Sequence, residues 1–373
     1  MPRPAVTVLI DTYNHERFIE EAIVSVLEQD FPRAEVDILV VDDGSTDRTP
    51  EIVRKFEPHV RMLRKTNGGQ GSAFDAGIPE TRGEIVAFLD GDDWWAKAKL
   101  SVVVEYLACQ PHIGIVGHGI YEIDSDTGET TTTTPQHARE ISFDTVAGGR
   151  FFRQMMCFFG TSRVTMRRSV LLRVLPVPES LVVEADEFIS IMSAAYSAAG
   201  LLQQPLTFYR LHANNLFQVR RKDEVKLRRI QMVLAALARE LRIRLGSTAM
   251  APEIVDAIVE PLDVGSIRLR LTLDGGTRWE TFHTERADFR IAYKKGSPAY
   301  RLFQSFVLAC TLALSPKSFY RLRDWYSRSN WRRVRSILGE PVPNAEIRNV
   351  LTAAARDSQS KSAPEARDAA KVH

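Results

Sequence analysis

The sequence contains few cysteines and no long apolar run. Its three cysteines, Cys109, Cys157 and Cys310, lie far apart in 373 residues without CxxC spacing, so it predicts neither a structural zinc site nor a disulfide framework. No run of about 18 apolar residues occurs, and the N-terminal MPRPAVTVLI lacks an apolar stretch of signal-peptide length. We therefore expect a cytoplasmic protein in a reducing compartment, with no segment that crosses a membrane.

The chain also lacks a large excess of charge of either sign. Its formal net charge is +2, from 49 basic and 47 acidic residues, so the charge balance predicts no nucleic-acid partner. Hydrophobic residues make up 44% of the chain and charged residues 26%, values typical of a globular protein. With 373 residues, the chain is long enough for more than one domain.

The order of apolar segments predicts an α/β fold in the first part of the chain. Short β-branched runs such as VTVLI (6–10), VDILVVDD (36–43) and IVAFLD (85–90) alternate with helical patterns, as in a parallel sheet flanked by helices. After residue 222, apolar residues recur at helical spacing and strand signals largely disappear. We expect an α/β domain over residues 1–215, a mainly helical region over 216–350 and a disordered tail over 351–373.

Polar residues cluster directly after three of the predicted strands. The clusters are Asp11-Thr12-Tyr13-Asn14, the segment from Asp42 to Asp47, and Asp90-Gly91-Asp92-Asp93. In an open α/β sheet, ligands bind at the carboxyl ends of the strands, where loops and helix N-termini converge. Turn formation and helix capping would explain any one cluster alone. Three clusters at successive strand ends favour a shared binding site.

The residue types in these clusters indicate a diphosphate bound through a metal ion. Carboxylates without neighbouring His or Cys ligands favour a hard cation such as Mg²⁺ or Mn²⁺, which completes its coordination with water and phosphate oxygens. The chain has neither a GxxxxGK[ST] loop nor the glycine-rich dinucleotide fingerprint after its first strand. A nucleotide would therefore be held by carboxylates and a cation instead of a phosphate-binding loop.

Three segments resemble the nucleotide-sugar-binding half of the family 2 glycosyltransferases, which have the GT-A fold. They are VTVLIDTYNHERFIEEAIVSVLEQD, ILVVDDGSTDRT and NGGQGSAFDAGIPETRGEIVAFLDGDDWW, and the resemblance covers roughly residues 5–215. It implies an inverting transfer of a sugar from a UDP- or GDP-sugar to an acceptor hydroxyl in a surface polysaccharide, glycolipid or other glycoconjugate. One alternative is a catalytically silent protein that binds nucleotide sugars. A sugar nucleotidyltransferase is disfavoured because no glycine-rich phosphate loop opens the chain.

The resemblance also implies roles for residues at the strand ends. Thr12 and Tyr13 would surround the base of the nucleotide, and Asp43 would hydrogen-bond the nucleoside. In the DxD motif, Asp90 would face the ribose and Asp92 would bind the metal ion.

Two acidic residues depart from the family pattern. Asp11 stands where relatives usually have Pro, and Asp75 stands where they usually have Asn. These acids either tune the choice of nucleotide or sugar or lie in a solvated turn. Asp93, next to the DxD motif, either caps a helix or supports the metal ligands from behind.

An inverting transfer also needs a general base for the acceptor hydroxyl. Family members carry this acid about a hundred residues after the DxD motif, and Asp186 occupies that place. The usual Glu-Asp pair is replaced here by Ala-Asp, which leaves Glu184 and Glu187 as competing candidates. The structural alternative for these acids is enrichment at a helix N-terminus.

Further residues of the resemblance lie on either side of this acid. Arg210 and His212 would contact the diphosphate or its metal ion, or make structural hydrogen bonds. Residues 158–162 would border the sugar pocket. Trp94 and Trp95 would stack on a sugar or belong to the core.

The C-terminal part contains an apolar segment followed by a basic one. Leu302 to Ser315 form a segment that is too short to span a bilayer. The following basic residues, interleaved with aromatic ones, are Lys317, Arg321, Arg323, Arg328, Arg332, Arg333 and Arg335. This pattern suits peripheral contact with the inner face of an anionic membrane, where a lipid-linked acceptor would be found. A buried helix beside a solvated basic face is the alternative.

Overall fold

The computed structural model describes residues 5–212, 224–292 and 298–328. Within them, ten strands form one sheet, in the order β3-β2-β1-β4-β9-β6-β10-β5, with β7 beside β6 and β8 beside β10. The strands are β1 (Val6–Thr12), β2 (Val36–Asp42), β3 (Arg61–Arg64), β4 (Ile85–Asp90), β5 (Trp94–Trp95), β6 (Ile113–Asp124), β7 (Thr130–Thr133), β8 (Arg139–Ile141), β9 (Thr165–Arg167) and β10 (Ala198–Leu211).

Helices surround the sheet and continue after it. Seven lie between the strands: α1 (Ile19–Leu27), α2 (Thr49–Arg54), α3 (Gln70–Glu80), α4 (Lys99–Cys109), α5 (Val146–Gln154), α6 (Arg168–Val174) and α7 (Ala185–Tyr196). In the described ranges 224–292 and 298–328, five follow the last strand: α8 (Glu224–Gly246), α9 (Pro252–Leu273), α10 (Arg278–Ala292), α11 (Pro298–Ala313) and α12 (Pro316–Arg328). The predicted α/β fold with a mainly helical C-terminal part is confirmed.

The described residues divide into two compact units. The first contains residues 5–212 and 231–266, so most of α8 and α9 belongs to the same unit as the sheet. The second contains residues 224–230, 267–292 and 298–328. The tail expected over 351–373 lies outside the described residues.

The first three predicted strands are parallel neighbours, and this alignment brings their polar ends together. Asp11 of β1 is in register with Asp90 of β4, and Thr12 is in register with Asp42 of β2. The apolar residues before them are buried on both faces of the sheet, which explains why these strands read as continuous apolar runs. Each such Leu, Ile or Phe contributes about 1.5–3 kcal/mol through burial.

The second unit has a small core of its own. Leu271 of α9 packs against Phe319 and Tyr320 of α12. Arg268 is paired with the buried Glu285 and with Asp288 of α10, so the charges inside this unit are compensated. Among the described residues, no helix combines the length and the apolar character that a membrane span requires.

Candidate active site

The carboxyl ends of β1 and β4 form the centre of the site. The turn after β4 is tied to β1 by the Gly91 N–H, which donates to the Asp11 carbonyl oxygen at 2.9 Å. A Cβ at Gly91 would lie 2.6 Å from Thr12 Oγ1, so only glycine allows this close approach. The DxD motif is therefore held against the end of the first strand.

Three carboxylates of this turn form a tight cluster. Oxygen atoms of Asp90, Asp92 and Asp93 lie within 4.8 Å of one another. His212 Nε2 is hydrogen-bonded to Asp92 Oδ2 at 2.9 Å, and His15 Nε2 lies 3.9 Å from the same oxygen. These acids belong to one turn, and a ligand site shared by the three strand ends stays a prediction.

Crowding of these acids shifts their proton affinities. Burial raises the pKa of Asp90 well above its usual value, and the charges of Asp11 and Asp92 raise it further. Burial and the charge of Asp92 raise the pKa of Asp93 to about 7. Burial acts in the same direction on Asp92, but the hydrogen bond with His212 and the charge of His15 outweigh it, so the pKa of Asp92 is lowered.

The cluster fits a divalent cation chemically. Asp93 Oδ2 and Asp11 Oδ1 are buried oxygens without a hydrogen-bond donor in the described part of the chain. Carboxylate oxygens that lack donors and repel each other are the ligands that Mg²⁺ and Mn²⁺ prefer. A shared cation would offset the repulsion that raises the pKa values of Asp90 and Asp93.

Other residues that were predicted to bind the nucleotide sugar lie near this acidic cluster. Thr12 is buried, and its Oγ1 is 3.2 Å from His15 Nδ1. Tyr13, at the end of β1, is 44% exposed and therefore accessible to a ligand. Arg210 lies between the rings of Phe18 and Trp94, with its Cζ 4.7 and 4.4 Å from their centroids.

Asp43 has protein partners for both of its carboxylate oxygens. Oδ1 accepts hydrogen bonds from Lys65 Nζ at 2.7 Å and from the Gly68 N–H at 3.0 Å. Oδ2 accepts from the Gly69 N–H at 2.7 Å. The carboxylate thus shapes the turn that begins α3, and its contact with the nucleoside stays a prediction.

Asp186 lies in the first turn of α7, and its environment differs from that of its two competitors. Its Oδ2 accepts the Thr161 N–H at 3.1 Å and its Oδ1 accepts the Glu187 N–H at 2.9 Å. Glu187 is buried in an ion pair with Arg153, which occupies its carboxylate. Glu184 precedes the helix in the left-handed conformation, with φ 60°.

Two residues that the sequence did not single out individually connect these parts. Ser162 Oγ accepts the Asp90 N–H and donates to Asp90 Oδ2, both at 3.1 Å. The Ser162 carbonyl oxygen accepts from the fully buried Lys99 Nζ at 2.7 Å and from Trp95 Nε1 at 3.0 Å. Trp95 is thus part of the core, as one of the two predicted alternatives stated.

The first half of the chain is similar in sequence to known proteins. The sequence profile described as Glycosyl transferase family 2 matches residues 7–174. An uncharacterized glycosyltransferase of Nostoc sp. is 32% identical over 217 residues, 56% of this chain and 66% of that protein. The domain at residues 7–174 belongs to glycosyltransferase family 2. The uncharacterized glycosyltransferase EpsJ of Bacillus subtilis is 37% identical over 126 residues, 33% of this chain and 36% of that protein.

Solved structures share the fold of this chain. Staphylococcus aureus TarS 1-349 in complex with UDP-GlcNAc superimposes with a TM-score of 0.58 and 18% identity, covering 85% of this chain and 91% of TarS 1-349. The same protein in complex with UDP gives a TM-score of 0.51 at 19% identity. This likeness confirms the predicted GT-A fold. The curated relatives are matched over no more than two thirds of their own length.

Proposed function

We propose that this chain is an inverting glycosyltransferase that uses a nucleoside diphosphate sugar, a divalent cation and an acceptor hydroxyl. One observation carries the proposal: a separate carboxylate, Asp186, accepts the Thr161 N–H, and the neighbouring Ser162 hydroxyl is hydrogen-bonded to Asp90, although 96 positions separate the two acids in the sequence. A cation site next to an independent carboxylate meets the two needs of the reaction, a partner for the leaving diphosphate and a base for the acceptor.

The donor would bind at the ends of β1, β2 and β4. Asp92, supported by Asp90 and Asp93, would hold Mg²⁺ or Mn²⁺, and the cation would neutralise the diphosphate as negative charge develops on it. The nucleoside would lie beside Thr12, Tyr13 and Asp43, with Arg210 and His212 near the diphosphate. UDP-GlcNAc, the ligand of TarS, is the first donor to test.

The acceptor step would depend on Asp186. Each of its oxygens accepts one backbone N–H and keeps a second lone pair, so the carboxylate is oriented and still able to take a proton. As the acceptor oxygen bonds to the anomeric carbon, its proton would pass to Asp186 while the bond to the diphosphate breaks. The acceptor would belong to a surface polysaccharide, a glycolipid or another glycoconjugate.

The competing function is a catalytically silent protein that binds nucleotide sugars. The arrangement of Asp186 favours the enzyme, because one carboxylate oxygen accepts the Thr161 N–H and the other accepts the Glu187 N–H of α7. A binding protein without chemistry has no need for an oriented carboxylate beside its cation site.

A screen of UDP-GlcNAc, UDP-glucose, UDP-galactose and GDP-mannose with Mg²⁺ or Mn²⁺ tests the function. Nucleoside diphosphate release by the wild-type chain is the expected result. The variant Asp186→Asn should bind the donor within about threefold of wild type but turn it over at least about 100-fold more slowly, since a general base contributes that much or more. A wild-type chain that binds a donor without turning over any donor, with or without simple sugar acceptors, would favour the silent protein.

We also propose that the second unit contacts an anionic membrane at its inner face. Leu302 and Phe306 lie four residues apart on α11 and are 74% and 65% exposed, so one helix face presents apolar side chains. Lys317 and Arg321 of α12 are exposed as well. Apolar and basic side chains on adjacent helices suit the interface of a membrane with anionic lipids. The basic residues predicted at 329–335 lie outside the described residues.

Liposome co-sedimentation tests this contact. The full chain should bind vesicles of anionic phosphatidylglycerol and dissociate from them at high salt, because each basic side chain near such a surface contributes about 1 kcal/mol. It should not bind vesicles of neutral phosphatidylcholine. Leu302→Asp with Phe306→Asp should abolish binding. Leu172→Asp, at an exposed leucine of α6, is the matched control and should bind normally. Equal binding by both variants would contradict the proposal.

A further inference from the structure

Gln70, at the start of α3, is hydrogen-bonded to two other elements through its side chain. Its Oε1 accepts the Ala185 N–H at 3.2 Å, and its Nε2 donates to Thr161 Oγ1 at 3.0 Å. Its own backbone N–H donates to the Val182 carbonyl oxygen at 2.9 Å. One residue thus joins α3, the turn at Thr161 and the start of α7.

Both side-chain partners of Gln70 adjoin the same carboxylate. Thr161 donates its N–H to Asp186 Oδ2 at 3.1 Å, and Ala185 is the residue directly before Asp186. Thr161 is 2% exposed and Ala185 is fully buried, so water cannot easily replace a lost hydrogen bond at either of them. Gln70 therefore supports the position of Asp186 from two sides.

The backbone around Gln70 leaves little room for adjustment. A Cβ at Gly69, which has φ +84°, would lie 2.4 Å from the Val182 carbonyl oxygen. A Cβ at Gly71 would lie 2.6 Å from the Leu181 carbonyl oxygen. The start of α3 is thus packed directly on the loop that leads into α7, and the Gln70 side chain acts within a rigid contact.

We propose that Gln70 and Thr161 form a clamp that positions Asp186, and that their effect on the reaction is exerted through this carboxylate. The proposal rests on the function proposed above for Asp186. The side-chain oxygen and nitrogen of Gln70 each have a protein partner, which indicates a positioning residue and not a donor ligand. A misplacement of about 1 Å in a reacting group can cost about 100-fold in rate, so loss of the clamp should act on turnover.

Substitutions that keep the size of the side chain distinguish an effect on the position of Asp186 from an effect on folding. Gln70→Met keeps the length of the side chain and removes its hydrogen bonds with Thr161 and Ala185, together with the interaction of its amide with Asp11. Thr161→Val keeps the volume and removes only the hydroxyl, while its backbone N–H to Asp186 remains. Thr161→Ser keeps the hydroxyl and serves as the conservative rescue. The double variant of Gln70→Met and Thr161→Val tests whether both residues act through one hydrogen bond.

Turnover and donor affinity are measured separately for the wild-type chain and each variant, using the donor found in the screen above. Both single variants should lower kcat by about tenfold or more and leave the donor Kd within about threefold, and Thr161→Ser should retain the wild-type kcat. The double variant should fall little below Gln70→Met. Unchanged thermal unfolding in Thr161→Val and in Gln70→Met would assign the loss of kcat to positioning.

Several outcomes would contradict the proposal that Gln70 and Thr161 position Asp186. They are a kcat within twofold of wild type for both variants, a donor Kd that rises by the same factor as kcat falls, and multiplied effects in the double variant. Asp186→Asn separates the two proposals: if this variant is inactive while Gln70→Met and Thr161→Val keep their kcat, the clamp is wrong and the general base stands. If Asp186→Asn is active, or the wild-type chain turns over no donor, both are wrong.

Discussion

Asp11, at the end of β1, should make the folding stability of the cation-free protein depend on pH. Burial raises the pKa of Asp11 to about 8, and the negative charges of Asp186 and Asp92 add to the shift. Its Oδ1 has no hydrogen-bond donor in the described ranges of the chain to stabilise the ionised form. Between pH 4 and pH 8 the folded chain therefore holds a proton on Asp11 that the unfolded chain has released. The free energy of unfolding should fall as pH rises through this range.

The structure bounds the size of this effect. The shift from 3.8 to about 8 spans roughly four pH units, which at about 1.4 kcal/mol each sets a ceiling of roughly 6 kcal/mol. The side chain of Asp11 is only half-buried, so water screens part of the repulsion, and we expect about 2 kcal/mol. Asp11→Asn removes the ionisation and should restore that stability above pH 8.

Thermal unfolding of the metal-free protein at pH 5 and pH 8.5 measures this difference. A change of 2 kcal/mol corresponds to about 4–8 °C in Tm for a unit of this size, so Asp11→Asn should exceed wild type by that amount at pH 8.5 and by little at pH 5. Glu105→Gln, at an exposed acid of α4, is the matched control and should follow wild type at both pH values. A Tm difference between Asp11→Asn and wild type that is the same at pH 5 and pH 8.5 would refute the reasoning.

Two further predictions concern binding and the backbone. Asp92→Ala should abolish the dependence of nucleoside diphosphate binding on Mg²⁺ or Mn²⁺ in calorimetry, because this carboxylate would share the cation with the diphosphate; an unchanged metal dependence would contradict that role. Gly69→Ala should lower Tm by several degrees, because its φ is +84° and a Cβ would lie 2.4 Å from a carbonyl oxygen, whereas Gly128→Ala, with a similar φ of +71° and open space around it, should cost less.

The first half of the sheet was predictable because of how it is buried. Strands covered on both faces need apolar residues at every position, and the runs at 6–10, 36–43 and 85–90 show this pattern. The later strands are harder to recognise. β9 has three residues and β7 consists of four threonines that are half-buried or exposed, so neither has a pattern that distinguishes it from a loop. Their pairing is decided by the strands beside them.

The acids of the candidate site were predicted from the sequence, but the residues that hydrogen-bond to them and to their neighbours were not. Acids at strand ends are recognisable because parallel strands align their carboxyl ends. Ser162 and Gln70 act through hydrogen bonds to residues that are 72 and 115 positions away along the chain, and no local pattern encodes such contacts. The same limit applies to residues 231–266, whose helical pattern does not reveal that they pack in the unit of the sheet.

The distribution of charge connects the stability of the site with its proposed ligands. Asp92, beside His15 and His212, has a lowered pKa, whereas the pKa values of Asp11 and Asp93 rise to about 8 and about 7. Without a cation, the cluster therefore stays partly protonated near neutral pH. A bound cation would favour the ionised carboxylates and relieve their repulsion, while presenting positive charge to a diphosphate. An arrangement of acids that lowers the folding stability of the free chain would thereby strengthen the proposed binding of a cation and of the diphosphate that accompanies it.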